Sequence, residues 1–286
     1  MNLRTRLQEA RILMAPGAYD ALTARMVELA GFEAVYLSGA GVSYTLLAQP
    51  DVGLVTQTEM ADRVAMLHQA VKIPVIADGD NGHGNAMNVR RAVQLYERAG
   101  ASAIQLEDQQ LPKRCGHMAG KKLIGMHEMV GKINAACDAR RSEDFLIIGR
   151  TDARSLLGLD AALERASAYR EAGADVLFVE APEDLQELQI IARAFPDIPL
   201  MANMVEGGKT PSLPAPVLEQ LGYRLVIYPN SLIRRFAFVG PDLLASLRAT
   251  GSTDSQRPGM VSFPELNTML GLEAFAEVEQ RFVPST

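Results

Sequence analysis

The sequence predicts an α/β fold, a TIM-type (β/α)8 barrel, and three observations carry that prediction. A phrase recurs along the chain: AGFEAVYLSG from Ala30, AGASAIQLED from Ala99, AGADVLFVEA from Ala172, and the variant LGYRLVIYPN from Leu221. Four further apolar runs, ILMAPG at Ile12, IPVIADGD at Ile73, FLIIGRTD at Phe145 and IPLMANM at Ile198, bring the expected strands to eight. Amphipathic stretches such as TEMADRVAMLHQAV from Thr58 and NVRRAVQLYERAG from Asn88 separate most of them. Near-continuous apolar strands alternating with helices indicate a parallel sheet covered on both faces, and eight such units close into a barrel.

Each repeated phrase joins a helix end to a strand. The glycines Gly31, Gly100, Gly173 and Gly222 suit the first position past a helix, where a left-handed backbone is needed. The residue seven beyond each glycine then falls at the far end of the strand: Ser38, Glu107, Glu180 and Pro229. An open doubly wound sheet is the competing fold, since SGAGVS at Ser38 has a superficial likeness to a dinucleotide loop. That segment lacks the third glycine and the acidic residue such loops need. The expected organisation is a barrel over residues 1–249, with a C-terminal helical arm over 250–286 that belongs to the same domain and packs on a neighbouring subunit.

Composition narrows the function. The chain has 286 residues, 48% of them hydrophobic and 22% charged, which is ample material for one large packed core. A net charge of −6 argues against a phosphate-binding surface, so no nucleic-acid partner is expected. No run of ~20 apolar residues appears and the first residues lack a signal-type apolar region, so neither membrane insertion nor export is expected, and the anticipated location is the cytoplasm. Two cysteines, Cys115 and Cys137, cannot build a disulfide framework and read as free thiols. Cys137, among small residues of a predicted helix, reads as inert.

Chemistry in such a barrel belongs at the C-terminal ends of the strands. There the sequence places Tyr36 and Ser38, Asp78 and Asp80, Gln105, Glu107 and Asp108, Arg150 and Asp152, Glu180, and Asn203 with Glu206 close behind. Asp78, Asp80 and Glu107 would repel one another without a cation between them, and hard oxygen donors favour Mg2+ or Mn2+, held largely through water. The competing account is a set of structural ion pairs with Arg150 and nearby lysines. Zinc, on Cys115, His117, His83 or His127, is disfavoured because one C-x-H without a second pair is a poor signature. The segment LPKRCGHMAGKK, Leu111 to Lys122, follows the fourth strand and reads as a loop over the mouth. Lys113 and Arg114 would lower the thiol pKa and attract an anion, and Gly116 and Gly120 would supply hinges.

Seven motifs in order, YLSGAG, IADGDNG, LEDQ, KRCGH, GRTDAR, VEAP and NMVEGGKTP, resemble the isocitrate lyase and phosphoenolpyruvate mutase superfamily. The cysteine loop is similar to that of its carbon–carbon lyase branch, which includes methylisocitrate lyase, 2,3-dimethylmalate lyase and the petal death protein. The resemblance implies Mg2+-dependent retro-Claisen cleavage of a substituted malate into a 2-oxo acid and a carboxylic acid, by a homotetramer that exchanges its C-terminal helices. It implies Asp78 as the principal direct metal ligand, with Asp51, Asp80 and Glu107 acting mostly through water. Arg150, Ser38 and the backbone at Gly39 and Ala40 would stabilise the 2-oxo acid portion. Tyr36 would take part in deprotonating the C2 hydroxyl, and Cys115 would protonate the carbanion. His117, Glu180 and Asn203 would hold the loop and the leaving carboxylate; Thr210 and Pro211 match a second binding segment.

Two departures bear on the substrate. Methylisocitrate lyases tend to read C-G-H-R-P-N-K with a His two residues before the strand-four Glu, whereas this chain reads C-G-H-M-A-G-K and has Gln105. That favours a dimethylmalate or alkylmalate lyase over a 2-methylisocitrate lyase. An oxaloacetate hydrolase or decarboxylase on the same site is the next reading, and a non-catalytic binder of 2-oxo acids is the reading from another class. The substrate in every case is a small di- or tricarboxylate.

Overall fold

The computed structural model describes residues 2–114, Gly116 and 120–283. Eight parallel strands appear where the apolar runs place them: β1 (Leu13–Ala18), β2 (Val35–Leu37), β3 (Val75–Asp78), β4 (Ala103–Glu107), β5 (Leu146–Thr151), β6 (Val176–Val179), β7 (Met201–Asn203) and β8 (Leu225–Tyr228). They pair in the order β6-β5-β4-β3-β2-β1-β8-β7. A single parallel bridge, Leu177 to Leu200, with Leu177 N donating to the Pro199 carbonyl at 3.0 Å, brings the two outer strands together. The sheet is a nearly closed barrel rather than an open doubly wound sheet, and Gly39–Val42, in the glycine-rich segment, is a short helix.

The helix-ending glycines behave as their chemistry requires. Gly31, Gly100, Gly173 and Gly222 have φ of 85, 97, 101 and 108°, a region in which a β-carbon is strained. Each turn delivers the chain to the next strand within a few residues, and that spacing makes the repeat visible in the sequence.

Strand alternation then sorts the barrel interior into layers. Leu13 and Ala15, Tyr36, Ile76, Ala103, Leu146 and Ile148, Val176 and Phe178, Met201, and Leu225 and Ile227 form one buried cluster. Leu3 and Leu7, from a short helix over Leu3–Leu7, belong to the same cluster and were not anticipated from the sequence. Because side chains alternate with period two, residues two further along share the face: Ser38, Asp78, Gln105 then Glu107, Arg150, Glu180 and Asn203. The interior is apolar toward the N-terminal ends of the strands and polar toward their C-terminal ends.

By compactness the chain divides into two units, Met1–Ser231 and Leu232–Thr286. The second contains nearly all of the helix Ser231–Thr250, which runs to the anticipated start of the arm, and the helices Phe263–Met269 and Leu272–Phe282. Many of its large apolar side chains are strongly exposed, with Phe238 at 68%, Phe263 at 79% and Phe275 at 72%. Among the described residues, no helix is long and apolar enough to cross a membrane.

Candidate active site

The polar layer opens into a small cleft lined by Tyr36, Ser38, Ala40, Asp51, Asp78, Glu107, Lys113, Arg114, Gly116, Arg150, Glu180 and Asn203 together with Val205, Ile227, Pro229 and Asn230. Most residues singled out in the sequence therefore meet in one place. Cys115 and His117 lie outside the described residues.

On β2 and β3 the site is tightly hydrogen-bonded. Ser38 Oγ accepts from Gly41 N at 3.1 Å, capping the short helix, and donates to Asn230 Oδ1 at 3.1 Å. Asp78 Oδ2 accepts from Gly39 N at 3.2 Å, and Asp78 Oδ1 accepts from Asp80 N at 3.1 Å and Gln105 Nε2 at 3.4 Å. Tyr36 Oη donates to Gln105 Oε1 at 3.0 Å. Burial, reinforced by Asp78, Glu107 and Glu180 against the opposing Arg150, pushes the Tyr36 phenol well above its usual range, so it keeps its proton at neutral pH.

Opposite lies the Arg150 guanidinium, 3.2 Å from Glu107 Oε2, bonded to Asp152, and 5.2 Å from the centroid of the Phe178 ring. Glu107 Oε1 and Asn203 Oδ1 are buried without a hydrogen-bond partner among the described residues. Asn203 Nδ2 reaches both oxygens of Glu180 at 3.3 Å. Desolvation lifts Glu107 well above the ordinary carboxylate range although Arg150 pulls it down.

Lys113 is buried, with its ammonium 2.5 Å from Asp51 Oδ1 and 2.6 Å from Asp80 Oδ1. This side chain, expected to draw an anion into the mouth, is bound to two carboxylates expected to surround a cation. Desolvation would depress the ammonium pKa, but Asp80, Asp51, Asp78 and Glu107 outweigh it and hold the charge firmly. Asp80, in a left-handed backbone at φ 48°, has its pKa raised to about 6 by burial and by Asp78 and Asp51, against the pull of Lys113.

The segment carrying Lys113 is closed at its base by the antiparallel bridge between Gln109 and Leu123. Gln109 also holds the Arg114 backbone, accepting from its N at 2.9 Å and donating to its O at 2.8 Å. Gly116 is buried against the cleft: a β-carbon there would lie 2.5 Å from Glu180 Oε1 and 2.6 Å from Arg150 Nη2. Close approach therefore explains Gly116, whereas Gly120, at φ 82°, has the backbone freedom expected of a hinge.

Thr210 is buried in the wall of a second, smaller cavity that it shares with Phe178, Met201 and Asn203, so it sits behind β7; Pro211 follows it, partly exposed. Cys137 is half-buried on the helix Met126–Ala139, 3.3 Å from the Gly173 carbonyl, and burial raises its thiol pKa, as suits an unreactive side chain. Of the zinc candidates, His83 packs against Tyr96 Oη at 3.1 Å and His127 is exposed on the same helix as Cys137. Lys121 and Asn230 were missed: loop position and a residue beyond a strand end left no periodic signal for either.

Six carboxylates, Asp51, Asp78, Asp80, Glu107, Asp152 and Glu180, meet four cationic side chains, Lys113, Arg114, Lys121 and Arg150, among the described residues around the cleft. No three His, Cys, Asp or Glu among the described residues form a ready protein cage for an ion. The excess of hard oxygen donors, and Glu107 Oε1 with no hydrogen-bond partner among the described residues, fit Mg2+, which keeps several waters and needs only one or two carboxylates.

Known proteins show the same arrangement of chain. The family model described as phosphoenolpyruvate phosphomutase matches residues 3–240. The chain is 48% identical over 281 residues to 2,3-dimethylmalate lyase of Eubacterium barkeri, covering 98% of this chain and 97% of that one. It is 42% identical over 283 residues to 2-methylisocitrate lyase of Aeropyrum pernix, covering 98% and 91%. A crystal structure of 2,3-dimethylmalate lyase superposes with a TM-score of 0.91 at 34% identity, covering 98% of this chain and 93% of that one. Phosphonopyruvate hydrolase in complex with oxalate and Mg2+ superposes with a TM-score of 0.89 at 32% identity, covering 99% and 98%.

Proposed function

The chain belongs to the phosphoenolpyruvate phosphomutase family within the isocitrate lyase superfamily and is a carbon–carbon lyase, and we propose that it cleaves 2,3-dimethylmalate or a related 2-alkylmalate with Mg2+. The observation that carries this reading is the meeting of Tyr36, Asp78, Glu107, Arg150 and Glu180 in one cleft at the C-terminal strand ends. Gln105, in place of the His expected of methylisocitrate lyases, favours the alkylmalate over 2-methylisocitrate.

Cleavage requires loss of the C2 hydroxyl proton, rupture of the C2–C3 bond with its electron pair passing to the C3 carboxylate, and protonation of C3. Asp78 would hold the metal directly, with Asp51, Asp80 and Glu107 around it. Bound there, Mg2+ supplies Lewis-acid stabilisation of negative charge on the 2-oxo acid oxygens. Arg150 binds the same portion from the β5 side, its guanidinium orientation set by Glu107 and Asp152. Ser38 and the backbone at Gly39 and Ala40 complete that half of the site. Tyr36 Oη, oriented by Gln105, would act as a relay that hands its own proton to a carboxylate of the cleft as it takes the hydroxyl proton, and Cys115 would deliver a proton to C3. Glu180 and Asn203, with His117, receive the leaving carboxylate side; Lys113, Arg114 and Gly116 shape the mouth, and Thr210 and Pro211 support β7 from behind.

The reading extends to a cytoplasmic homotetramer in which the segment 250–286 is exchanged as a C-terminal arm, supported by the exposed phenylalanines of the second unit. Light scattering on the purified protein tests the mass. The activity test is a coupled assay for 2-oxo acid release with Mg2+, offering 2,3-dimethylmalate, 2-methylisocitrate, isocitrate and oxaloacetate, with an EDTA control. Metal-dependent release from 2,3-dimethylmalate supports the proposal. Consumption of oxaloacetate alone replaces it with a hydrolase, and silence on all four leaves a binding protein.

A further inference from the structure

Just beyond the end of β5, Asp152 is fully buried, two residues past Arg150. Its carboxylate accepts Arg150 Nε at 2.9 Å and Nη2 at 3.1 Å, and it accepts Lys121 Nζ at 2.7 Å. Lys121 comes from the far end of the segment over the mouth, and its ammonium also donates to the Gly116 carbonyl. One carboxylate thus joins Arg150 in the cleft to Lys121, and through it to Gly116. It is itself immobilised from behind. Asp108 accepts from Asp152 N at 2.9 Å, Thr151 Oγ1 at 2.7 Å, Tyr169 Oη at 2.7 Å and Arg165 Nη1 at 2.9 Å.

Geometry of this kind has a physical consequence. A buried cation without a partner is costly, so Lys121 remains in the interior only while Asp152 is there to receive it. Gly116 presses against the Glu180 and Arg150 side chains with no room for a β-carbon, so its position and that of Arg150 depend on each other. We propose that Asp152 is a positioning residue that orients Arg150 and, through Lys121, holds Gly116 against the cleft. The kinetic part of this proposal rests on the lyase reading; the docking part does not.

Lys121→Met in the full-length protein is the first test, because Asp152 then still has Arg150 and the fold keeps a compensated charge. Hydrogen–deuterium exchange of the peptide spanning 111–124 should accelerate about tenfold, since the segment loses a buried anchor. With 2,3-dimethylmalate, kcat should fall about tenfold while KM changes less than about threefold, the pattern of an interaction realised only in the transition state. Lys121→Arg should recover much of both. Asp152→Asn should in addition weaken inhibition by oxalate with Mg2+ about tenfold, because the guanidinium loses its orientation. Wild-type exchange in Lys121→Met overturns the proposal, as does faster exchange with unchanged kcat. If the wild-type enzyme turns over no malate, the lyase reading fails alone, and exchange together with oxalate binding still decides the role of Asp152.

Discussion

Glu107 Oε2 lies 3.2 Å from Arg150 Nη1, while Glu107 Oε1 is buried with no hydrogen-bond partner among the described residues. One carboxylate therefore serves both an ion pair and the cleft. Replacing Glu107 with Gln keeps the shape and removes the charge. The Mg2+ concentration for half-maximal activity should rise about tenfold or more, the usual scale for a group that supports a metal without caging it. Thermal stability should fall little, because burial already disfavours the charged form. A Mg2+ titration of 2-oxo acid release beside a thermal melt checks both, and an unchanged Mg2+ demand would remove Glu107 from the metal's surroundings.

Gly39→Ala tests the packing around Asp78. A β-carbon at Gly39 would lie 2.8 Å from Asp78 Oδ2 and 3.2 Å from its Cγ, so the carboxylate must move. Activity should drop about a hundredfold, since displacements of about 1 Å in a catalytic constellation have effects of that size. Steady-state rates at saturating Mg2+, compared with circular dichroism to confirm folding, decide the matter.

Tyr36→Phe keeps the buried ring and deletes the hydroxyl bonded to Gln105. Loss of one positioned proton-transfer group should lower kcat about 10²- to 10⁴-fold, whereas the lost hydrogen bond should cost about 1 kcal/mol in stability. A melt shifted by tens of degrees, or full activity, would contradict the assignment.

His83 makes a pH prediction. Burial, with Lys113 adding and Asp78 opposing, lowers its pKa from 6.5 to about 4. The folded state therefore binds fewer protons than the unfolded state in that window. The stability it contributes is complete above about pH 6.5 and is lost as pH falls toward about 4, amounting to at most about 3 kcal/mol. His83 has a left-handed backbone at φ 59°, which asparagine tolerates. His83→Asn should therefore flatten the acid limb of a plot of Tm against pH, and parallel limbs in the two proteins would rule the contribution out.

Strand positions were legible because their signal is local. Gly31, Gly100, Gly173 and Gly222 mark helix ends by backbone conformation alone, and the period of two carries Tyr36, Asp78, Glu107, Arg150 and Glu180 onto the interior face without reference to any other residue. Asp152 continues that alternation just past the end of β5, yet nothing in GRTDAR indicates that it receives Lys121. Ion pairs of these carboxylates with Arg150 and nearby lysines are the competing account in the sequence, and the structure contains them as Lys113–Asp80 and Arg150–Glu107; the particular choice of Lys113, and its second partner Asp51, is hidden because the members come from separate loops.

The eight βα units and the polar ends of their strands are legible along the chain, since both follow from spacing and residue chemistry, whereas the type of reaction came from the resemblance of its motifs. Only the tertiary structure decided which charges pair. Lys113 is bound between Asp51 and Asp80, Lys121 reaches Asp152, and Leu3 and Leu7 join the core of the barrel. The physical reason is that a loop or terminal side chain has no repeat to fix its direction. Its partner is chosen by distance and desolvation once the barrel has brought remote segments together.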